Sequence, residues 1–258
     1  EFPRMGPRSY NRTLVIVVDN LHKSFGGHQV LKGVSLKIPK GSTRVILGLS
    51  GSGKSVLMKH LIGLLQPDSG TIHIDDEDIT KMSPKELLNL RRKFGMVFQQ
   101  SALFDSMSVE ENVAFPLKEH TDLDKDEIQA KVEEKLAMVG LADFAQKYPA
   151  ELSGGMRKRV GLARAVVLDP ICVLYDEPTT GLDPLTTNNV DEMILDANQK
   201  LAVTSVVISH DVGSALKVAD DISVIHKGVI VEDCPASEIR NSSHPFVQEF
   251  LNSWFEKQ

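Results

Sequence analysis

The stretch Gly48-Leu49-Ser50-Gly51-Ser52-Gly53-Lys54-Ser55 decides how this chain is read. It fits the pattern G-x-x-x-x-G-K-[ST], and its flanks give the pattern mechanical meaning. Thr43-Arg44-Val45-Ile46-Leu47 before it is a short apolar run of strand length, and Val56-Leu57-Met58-Lys59-His60-Leu61-Ile62 after it has helical character. Glycines at such a strand-to-helix junction let the backbone wrap a phosphate chain with its N–H groups turned inward, and the helix start at Ser55 and Val56 adds a partial positive charge. Lys54 is placed to reach the β- and γ-phosphates of a nucleotide, and the Ser55 hydroxyl to ligate Mg²⁺. The competing reading, a Gly/Ser-rich turn that happens to contain a lysine, explains neither flank.

Outward from this loop, composition sets bounds. The 258 residues suffice for one large α/β domain or two small ones. With 41% hydrophobic and 25% charged residues, the chain has the make-up of a soluble globular protein. Its longest apolar runs, such as Leu14-Val15-Ile16-Val17-Val18, are strand-sized, whereas a membrane-spanning helix needs about 20 residues. A net charge of −6 argues against nucleic acid as the main partner. Cys172 and Cys234 lie far apart in sequence; one disulfide is compatible with that, and free thiols in a reducing cytosol are the simpler account. The first residues lack the apolar core of a signal peptide, and Glu1-Phe2-Pro3-Arg4 before Met5 is set aside from the fold.

Between Leu14 and Ile38 the residues alternate as in a half-exposed antiparallel sheet, broken by a turn at Phe25-Gly26-Gly27. Phe25 stacks on an adenine ring or fills the sheet edge as a core residue; the pattern does not separate the two. After the loop helix come a turn at Gln66-Pro67-Asp68-Ser69-Gly70, a short strand at Thr71-Ile72-His73-Ile74, and a helix opened by the capping box Ser83-Pro84-Lys85-Glu86. Phe94-Gly95-Met96-Val97-Phe98 reads as a buried strand of the same sheet, so Gln99 at its C-terminal end can reach the metal and the γ-phosphate. Ser101 to about Lys147 reads as a helical insert: Ser108-Val109-Glu110-Glu111 forms a second capping box, and Ile128, Val132 and Leu136 recur every four residues. In Leu152-Ser153-Gly154-Gly155-Met156 an N-cap serine and two glycines leave a bare helix start, suited to an anion or to nothing more than a flexible entry. Arg157, Lys158 and Arg159 read as a solvated face.

Ile171-Cys172-Val173-Leu174-Tyr175 is an apolar strand that ends in Asp176-Glu177. Adjacent side chains at a strand end diverge, so Asp176 can serve Mg²⁺ while Glu177 faces the attacking water. Asp183-Pro184 caps and opens the next helix. Leu201 to Ser209 reads as another strand, which puts His210 at a strand end of the nucleotide-binding sheet, where a neutral imidazole can hold the γ-phosphate or position water. The other histidines read as surface or satisfied core residues. The remainder, with Phe246, Phe250, Leu251 and Trp254 on a last helix, reads as strands and an amphipathic cap without a catalytic signature.

Taken together and in this order, these motifs resemble the ATP-binding subunit of ABC transporters over nearly the whole chain. The combination carrying the resemblance is the loop Gly48–Ser55, Gln99, Leu152-Ser153-Gly154-Gly155, Asp176-Glu177, Asp183 and His210. It implies an α/β fold of P-loop NTPase type: a RecA-like core (roughly 13–100 and 165–240) with an antiparallel β subdomain and a helical signature subdomain (roughly 101–164). These form one domain over 13–250, with a C-terminal helix at 241–258. It further implies an ATPase using ATP and Mg²⁺, working as a pair of copies in which Ser153, Gly154 and Gly155 of one, with Asp183, meet the nucleotide held by Lys54 of the other. Phe25 becomes the adenine-stacking aromatic, although tyrosine is commoner there, and Met156 stands where glutamine usually ends the signature.

A narrower resemblance, to ATPases of the Mla type, rests on Lys54-Ser55-Val56-Leu57-Met58-Lys59-His60, on Met96 to Met107, on Glu111-Asn112-Val113-Ala114-Phe115-Pro116-Leu117 and on the Met-ended signature. It implies phospholipid transport at the cytoplasmic face of the inner membrane, with an MCE-type lipid-binding protein and a membrane permease that docks near Gln100 to Asp105, where Leu103 and Phe104 are expected to be exposed. The rivals are import of amino acids or another small solute, a soluble ABC ATPase acting in DNA repair or on ribosomes, and a regulatory module that binds nucleotide without hydrolysis. The two cysteines and the absence of a long heptad run speak against the soluble machines, and Glu177 speaks against the last.

Overall fold

The computed structural model describes residues 14–255. The lead-in before Met5, the proposed domain start at 13 and the last three residues of the C-terminal segment lie outside the described residues. In chain order the elements are β1 (Leu14–Phe25), β2 (His28–Pro39), β3 (Thr43–Leu47), α1 (Lys54–Leu61), β4 (Ser69–Ile74), β5 (Glu77–Asp78), α2 (Pro84–Arg91), β6 (Phe94–Val97), α3 (Val109–His120) and α4 (Lys125–Met138). They continue with α5 (Gly154–Val166), β7 (Cys172–Asp176), α6 (Pro184–Leu201), β8 (Thr204–Ser209), α7 (Val212–Val218), β9 (Asp221–His226), β10 (Val229–Pro235) and α8 (Pro245–Phe255). No helix among the described residues is long and apolar enough to cross a membrane.

Two sheets result. An antiparallel one has the order β2-β1-β4-β5, and a second has the order β10-β9-β3-β8-β7-β6, parallel except for its β10 edge. The strands of the parallel sheet are apolar on both faces because both faces are covered. Side chains alternate between them: Val45, Leu47, Val173, Tyr175, Val207 and Val224 join α3 to α8 in one core, while Ile46, Cys172, Leu174, Val206, Ile208 and Ile225 pack with α1, α2 and the antiparallel sheet in another. Each fully buried branched side chain contributes about 1.5–3 kcal/mol, so two such cores fix the sheet firmly under the loops at its rim. Cys172 and Cys234 are both free thiols.

Local chemistry sets where helices begin. Ser83 and Glu86 exchange side-chain and backbone bonds at the start of α2, as do Ser108 and Glu111 at α3. A third box, Asp124 with Glu127 at α4, escaped the sequence reading although its spacing is the same. Expected boundaries move at two strands: β6 stops at Val97 and leaves Phe98 exposed, and Leu201 and Ala202 are not strand. The spacing Val190, Met193, Ile194, Ala197 carries α6 through Leu201, Ala202 closes it in the left-handed region (φ 49°), and Asn198 donates to the Val203 carbonyl at 2.8 Å, so β8 starts only at Thr204. Helix α3 packs on both α4 and α5, and α5 lies against β6.

Candidate active site

Four neighbouring strands of the parallel sheet, in the order β3-β8-β7-β6, deliver four loops to one rim: the loop of Gly48 to Ser55 after β3, His210 after β8, Asp176-Glu177 at the end of β7 and Gln99 after β6. In an open α/β sheet this C-terminal rim is where ligands bind. Leu49, Ser50, Gln99, Glu177, Thr180 and His210 line a common cleft of about 540 Å³ there.

The loop is built for close approach. Gly53 sits at φ +108° as the residue before α1, with a position for Cβ only 2.9 Å from a Leu31 methyl, so no other residue fits it without strain. Lys54 is 5% exposed and donates to the carbonyls of Gly48 (2.7 Å) and Leu49 (3.1 Å). Its ammonium also lies 3.4 Å from a Glu177 carboxylate oxygen. Ser52 Oγ is buried with no hydrogen-bond partner among the described residues, whereas Ser50 and Ser55 are exposed and Val56 half-buried.

Glu177 is the hub. Its backbone is left-handed (φ 48°), a conformation that costs a non-glycine residue about 1–2 kcal/mol, and its N–H donates to the Ile208 carbonyl at 2.9 Å, which ties the β7 end to β8. The second carboxylate oxygen accepts from the Thr180 hydroxyl (3.0 Å) and lies 2.7 Å from His210 Nδ1. His210 is held from behind: the Asp211 N–H donates to Ser209 Oγ, and the Asp211 carboxylate caps α7 through the N–H groups of Gly213 and Ser214. Asp176 is half-buried; burial first, and the neighbouring Glu177 charge second, push its carboxyl above the usual range, against the opposing pull of Lys54 and Lys59. An oxygen set of the Ser55 hydroxyl, the Gln99 amide and the Asp176 carboxylate suits a hard cation such as Mg²⁺. With a single carboxylate, that set is one phosphate oxygens and water must complete. The unpartnered Ser52 hydroxyl and the raised Asp176 carboxyl are in keeping with such a guest.

Other expected residues lie apart from this cleft. Phe25 sits at the tip of the β1–β2 hairpin, 45% exposed with Lys23 Nζ 5.5 Å from its ring centroid, so it is not a core residue. Ser153 caps α5 by accepting from the Met156 N–H, and Gly154 and Gly155 open that helix. Asp183 caps α6 through the Thr186 N–H and hydroxyl. Neither helix start lines the cleft of its own chain. Arg157, Lys158 and Arg159 are not a solvated face: Lys158 is 4% exposed because it turns toward the β6 and β7 loops, and Arg157 and Arg159 are half-buried, Arg157 donating to the Leu152 carbonyl and Arg159 lying between α4 and α6. Leu103, expected exposed, is half-buried against the core, while Phe104 is 42% exposed. His60 is buried and donates from Nδ1 to the Val56 carbonyl at 2.7 Å, while its Nε2 has no hydrogen-bond partner among the described residues, so it is a half-satisfied core residue. Sequence reasoning also missed that Phe250 and Trp254 of α8 wall the cleft beside His210, where Trp254 leaves no room for a side chain at Gly213.

Comparison with known proteins places this geometry. Residues 31–180 match the family described as ABC transporter. The chain is 45% identical over 250 residues to the probable ribonucleotide transport ATP-binding protein mkl of Mycobacterium tuberculosis (97% of this chain, 70% of mkl). It is 42% identical over 248 residues to the methionine import ATP-binding protein MetN of Carboxydothermus hydrogenoformans (95% and 73%), and 39% identical over 237 residues to the intermembrane phospholipid transport system ATP-binding protein MlaF of Haemophilus influenzae (92% and 90%). Among solved structures it is similar to CbiO1 of Clostridium perfringens, part of the ABC transporter complex CbiONQ, with TM-score 0.83 and 29% identity over 93% of this chain and 98% of that one. The dimeric post-hydrolysis state of the ATP-binding cassette MJ0796, bound to ADP and Pi, superposes with TM-score 0.76 and 31% identity over 86% and 98%. With its strand-rim loops, its phosphate cradle and these relatives, the chain belongs to the ABC transporter family, as an ATPase subunit that binds ATP with Mg²⁺.

Proposed function

We propose that two copies of this chain close around two ATP molecules and drive a separate membrane permease that moves phospholipid, in the manner of the MlaF-type system. The observation that carries the hydrolytic part is the gathering of Gln99, Glu177 and His210 with loop residues Leu49 and Ser50 in one cleft, 3.4 Å separating Lys54 from Glu177. Amides of Gly48, Leu49, Ser50, Gly51, Ser52, Gly53, Lys54, Ser55 and Val56 embrace the phosphates, and Lys54 exchanges its carbonyl contacts for phosphate oxygens. Glu177 takes a proton from the attacking water, and His210, held at 2.7 Å from it, fixes the carboxylate and faces the γ-phosphate. Ser55, Gln99 and Asp176 would hold Mg²⁺, which would supply charge neutralisation for the phosphates. Phe25 stacks on the adenine from its exposed hairpin tip, and the partner copy's helix start at Ser153, Gly154 and Gly155, with Asp183, completes each site. The dimer of MJ0796 supports this pairing.

The same reading assigns residues 13–250 to one ATPase domain whose helical part, roughly 101–164, faces the permease. A groove beside the Gln100–Asp105 segment supports it: Phe98, Phe104 and Phe115 line it, with the Phe104 and Phe115 rings 4.9 Å apart, and Arg91, Arg92 and Arg164 rim it. A short amphipathic helix with acidic ends suits such a surface. The protein then sits peripherally on the cytoplasmic face of the inner membrane, with an MCE-type lipid-binding protein in the complex. Likeness to mkl and MetN favours a second reading, import of a small solute. Reconstituting the chain with its co-purifying membrane proteins in proteoliposomes separates them: ATP-dependent movement of labelled phospholipid supports the first, and uptake of a soluble solute with no lipid movement refutes it.

A further inference from the structure

Helix α5 carries Lys158, Gly161 and Arg164 at three-residue spacing, hence on one face. All of them meet the loop that follows β6. Lys158 Nζ donates to the Gln99 carbonyl at 2.6 Å. Gly161 leaves room for Ser101, whose Cβ lies 3.4 Å from where a Gly161 side chain would start. The Arg164 guanidinium donates to the carbonyls of Ser101 (2.7 Å) and Ala102 (2.8 Å). Ser101 and Ala102 are left-handed (φ 61° and 45°), a shape two such residues do not hold by themselves, so the donors of α5 impose it.

Lys158 does one thing more. The same ammonium donates to the Pro178 carbonyl at 2.6 Å, immediately after Glu177. It is 4% exposed, and among the described residues no carboxylate pairs with it. Burying an ammonium without a counter-ion is unfavourable, and a neutral side chain of equal length would pack more cheaply. What the charge achieves here is geometric: two strong charge-assisted bonds bring the backbones beside Gln99 and Glu177 to one point.

We propose that Lys158 is a positioning residue for ATP hydrolysis, its ammonium locking the Gln99 and Glu177 loops in register with each other and with the helix that begins at Ser153. The inference rests on the hydrolytic roles proposed above for Gln99 and Glu177. Lys158 does not line the cleft. It acts through the two loops, so any tilt of α5 relative to the sheet moves the metal side and the base side together. A misplacement of about 1 Å at a reacting group costs up to about 100-fold in rate.

The test compares Lys158→Met, which keeps the stem and removes every donor, with Lys158→Gln, whose shorter amide can hold one carbonyl. Both are made in the full chain. ATP affinity is measured in the absence of Mg²⁺, turnover at saturating ATP across a Mg²⁺ titration, and thermal stability for each variant. The expected order of kcat is parent, then Gln down about fivefold, then Met down about 30-fold or more. ATP affinity should stay within about threefold, and half-saturating Mg²⁺ should rise. Parental kcat in Lys158→Met overturns the proposal, as does a kcat loss that merely tracks ATP affinity or the folded fraction. Should the Met variant fail to fold, Lys158→Gln decides: lowered kcat at unchanged affinity and stability supports the lock, and unchanged kcat overturns it. Full turnover in Glu177→Gln would instead overturn the site reading on which the proposal stands.

Discussion

Replacing Glu177 by glutamine keeps the shape of the hub and removes its charge. The amide oxygen can still face Lys54 and its NH₂ can donate to His210 Nδ1, so the contacts at 3.4 and 2.7 Å persist in weaker form and the fold should hold. Two effects then separate. A lost general base costs about 10²–10⁴ in rate, which is about 3–5 kcal/mol on the barrier to hydrolysis. Nucleotide affinity should move the other way. The carboxylate competes with incoming phosphates for the Lys54 ammonium; at an effective dielectric near 20 that pair is worth at most several kcal/mol, and water reaching the 18% exposed Glu177 reduces it to about 1 kcal/mol. Glu177→Gln should therefore bind ATP up to about fivefold more tightly while kcat falls at least about 100-fold, and ATP should accumulate the closed pair of copies on size exclusion. Phosphate-release kinetics at saturating Mg-ATP and titration calorimetry read the two numbers independently. Turnover within about threefold of the parent would refute the role of base, and ATP affinity weakened about tenfold would refute the competition argument.

Lys54→Ala removes the donor that must turn from the Gly48 and Leu49 carbonyls to phosphate, and should weaken ATP binding about 100-fold or more by calorimetry; affinity within about threefold would count against the cradle. Phe104→Ala should reduce recovery of the permease in pull-down about tenfold with ATP turnover of the isolated chain within about twofold, since Phe104 lines the groove and not the cleft; an intact complex with normal coupled transport would sink the docking groove. A pH test concerns stability. Burial raises the Asp78 carboxyl, yet hydrogen bonds from Lys81 and Thr80 outweigh it and bring it down to about 2 from 3.8. A folded value below the unfolded one stabilises above about pH 4 and the gain is lost as pH falls through about 2. After allowance for the exposed Lys81 partner, Asp78→Asn should cost about 1 kcal/mol at pH 7 in urea unfolding, with the deficit closing toward pH 2. A deficit independent of pH would contradict this.

How much of the site was legible follows from how local its causes are. The phosphate loop, the capping serines and the strand-end carboxylates are set by a few neighbouring residues, so spacing alone located Lys54, Ser83, Ser108, Asp176 and Asp183. The parallel sheet brought Gln99 and His210 to the same rim because a strand's end is a topological position as much as a chemical one. Illegible were the properties that depend on what packs opposite. Three consecutive basic residues after a helix start look solvated in any sequence window, and only the approach of the β6 and β7 loops buries Lys158. Leu103 and Phe104 are alike in hydropathy, yet the chain turns one inward and leaves the other out. Nothing in Trp254 announces that its ring lies over Gly213, three residues beyond His210.

The caps also bear on how a second copy would engage. Within one chain the Ser153 hydroxyl is already taken up by the Met156 N–H, and both Asp183 oxygens by Thr186. The side chains most easily credited with reaching across are thus occupied with their own helices. The first N–H groups of a helix have no partner within it. At α5 they belong to Gly154 and Gly155, where no side chain keeps a phosphate at a distance. Under the proposed pairing, the groups this helix start offers a nucleotide are therefore its backbone amides and the helix dipole, with Ser153 holding the turn in shape. Met156 fits this arrangement: its N–H supports the cap, and its side chain packs on the core. A larger residue at Gly154 or Gly155 would act differently: a side chain fits there without disturbing the helix or the cap, yet it would stand beside the amides that the proposed pairing turns toward the second copy's nucleotide.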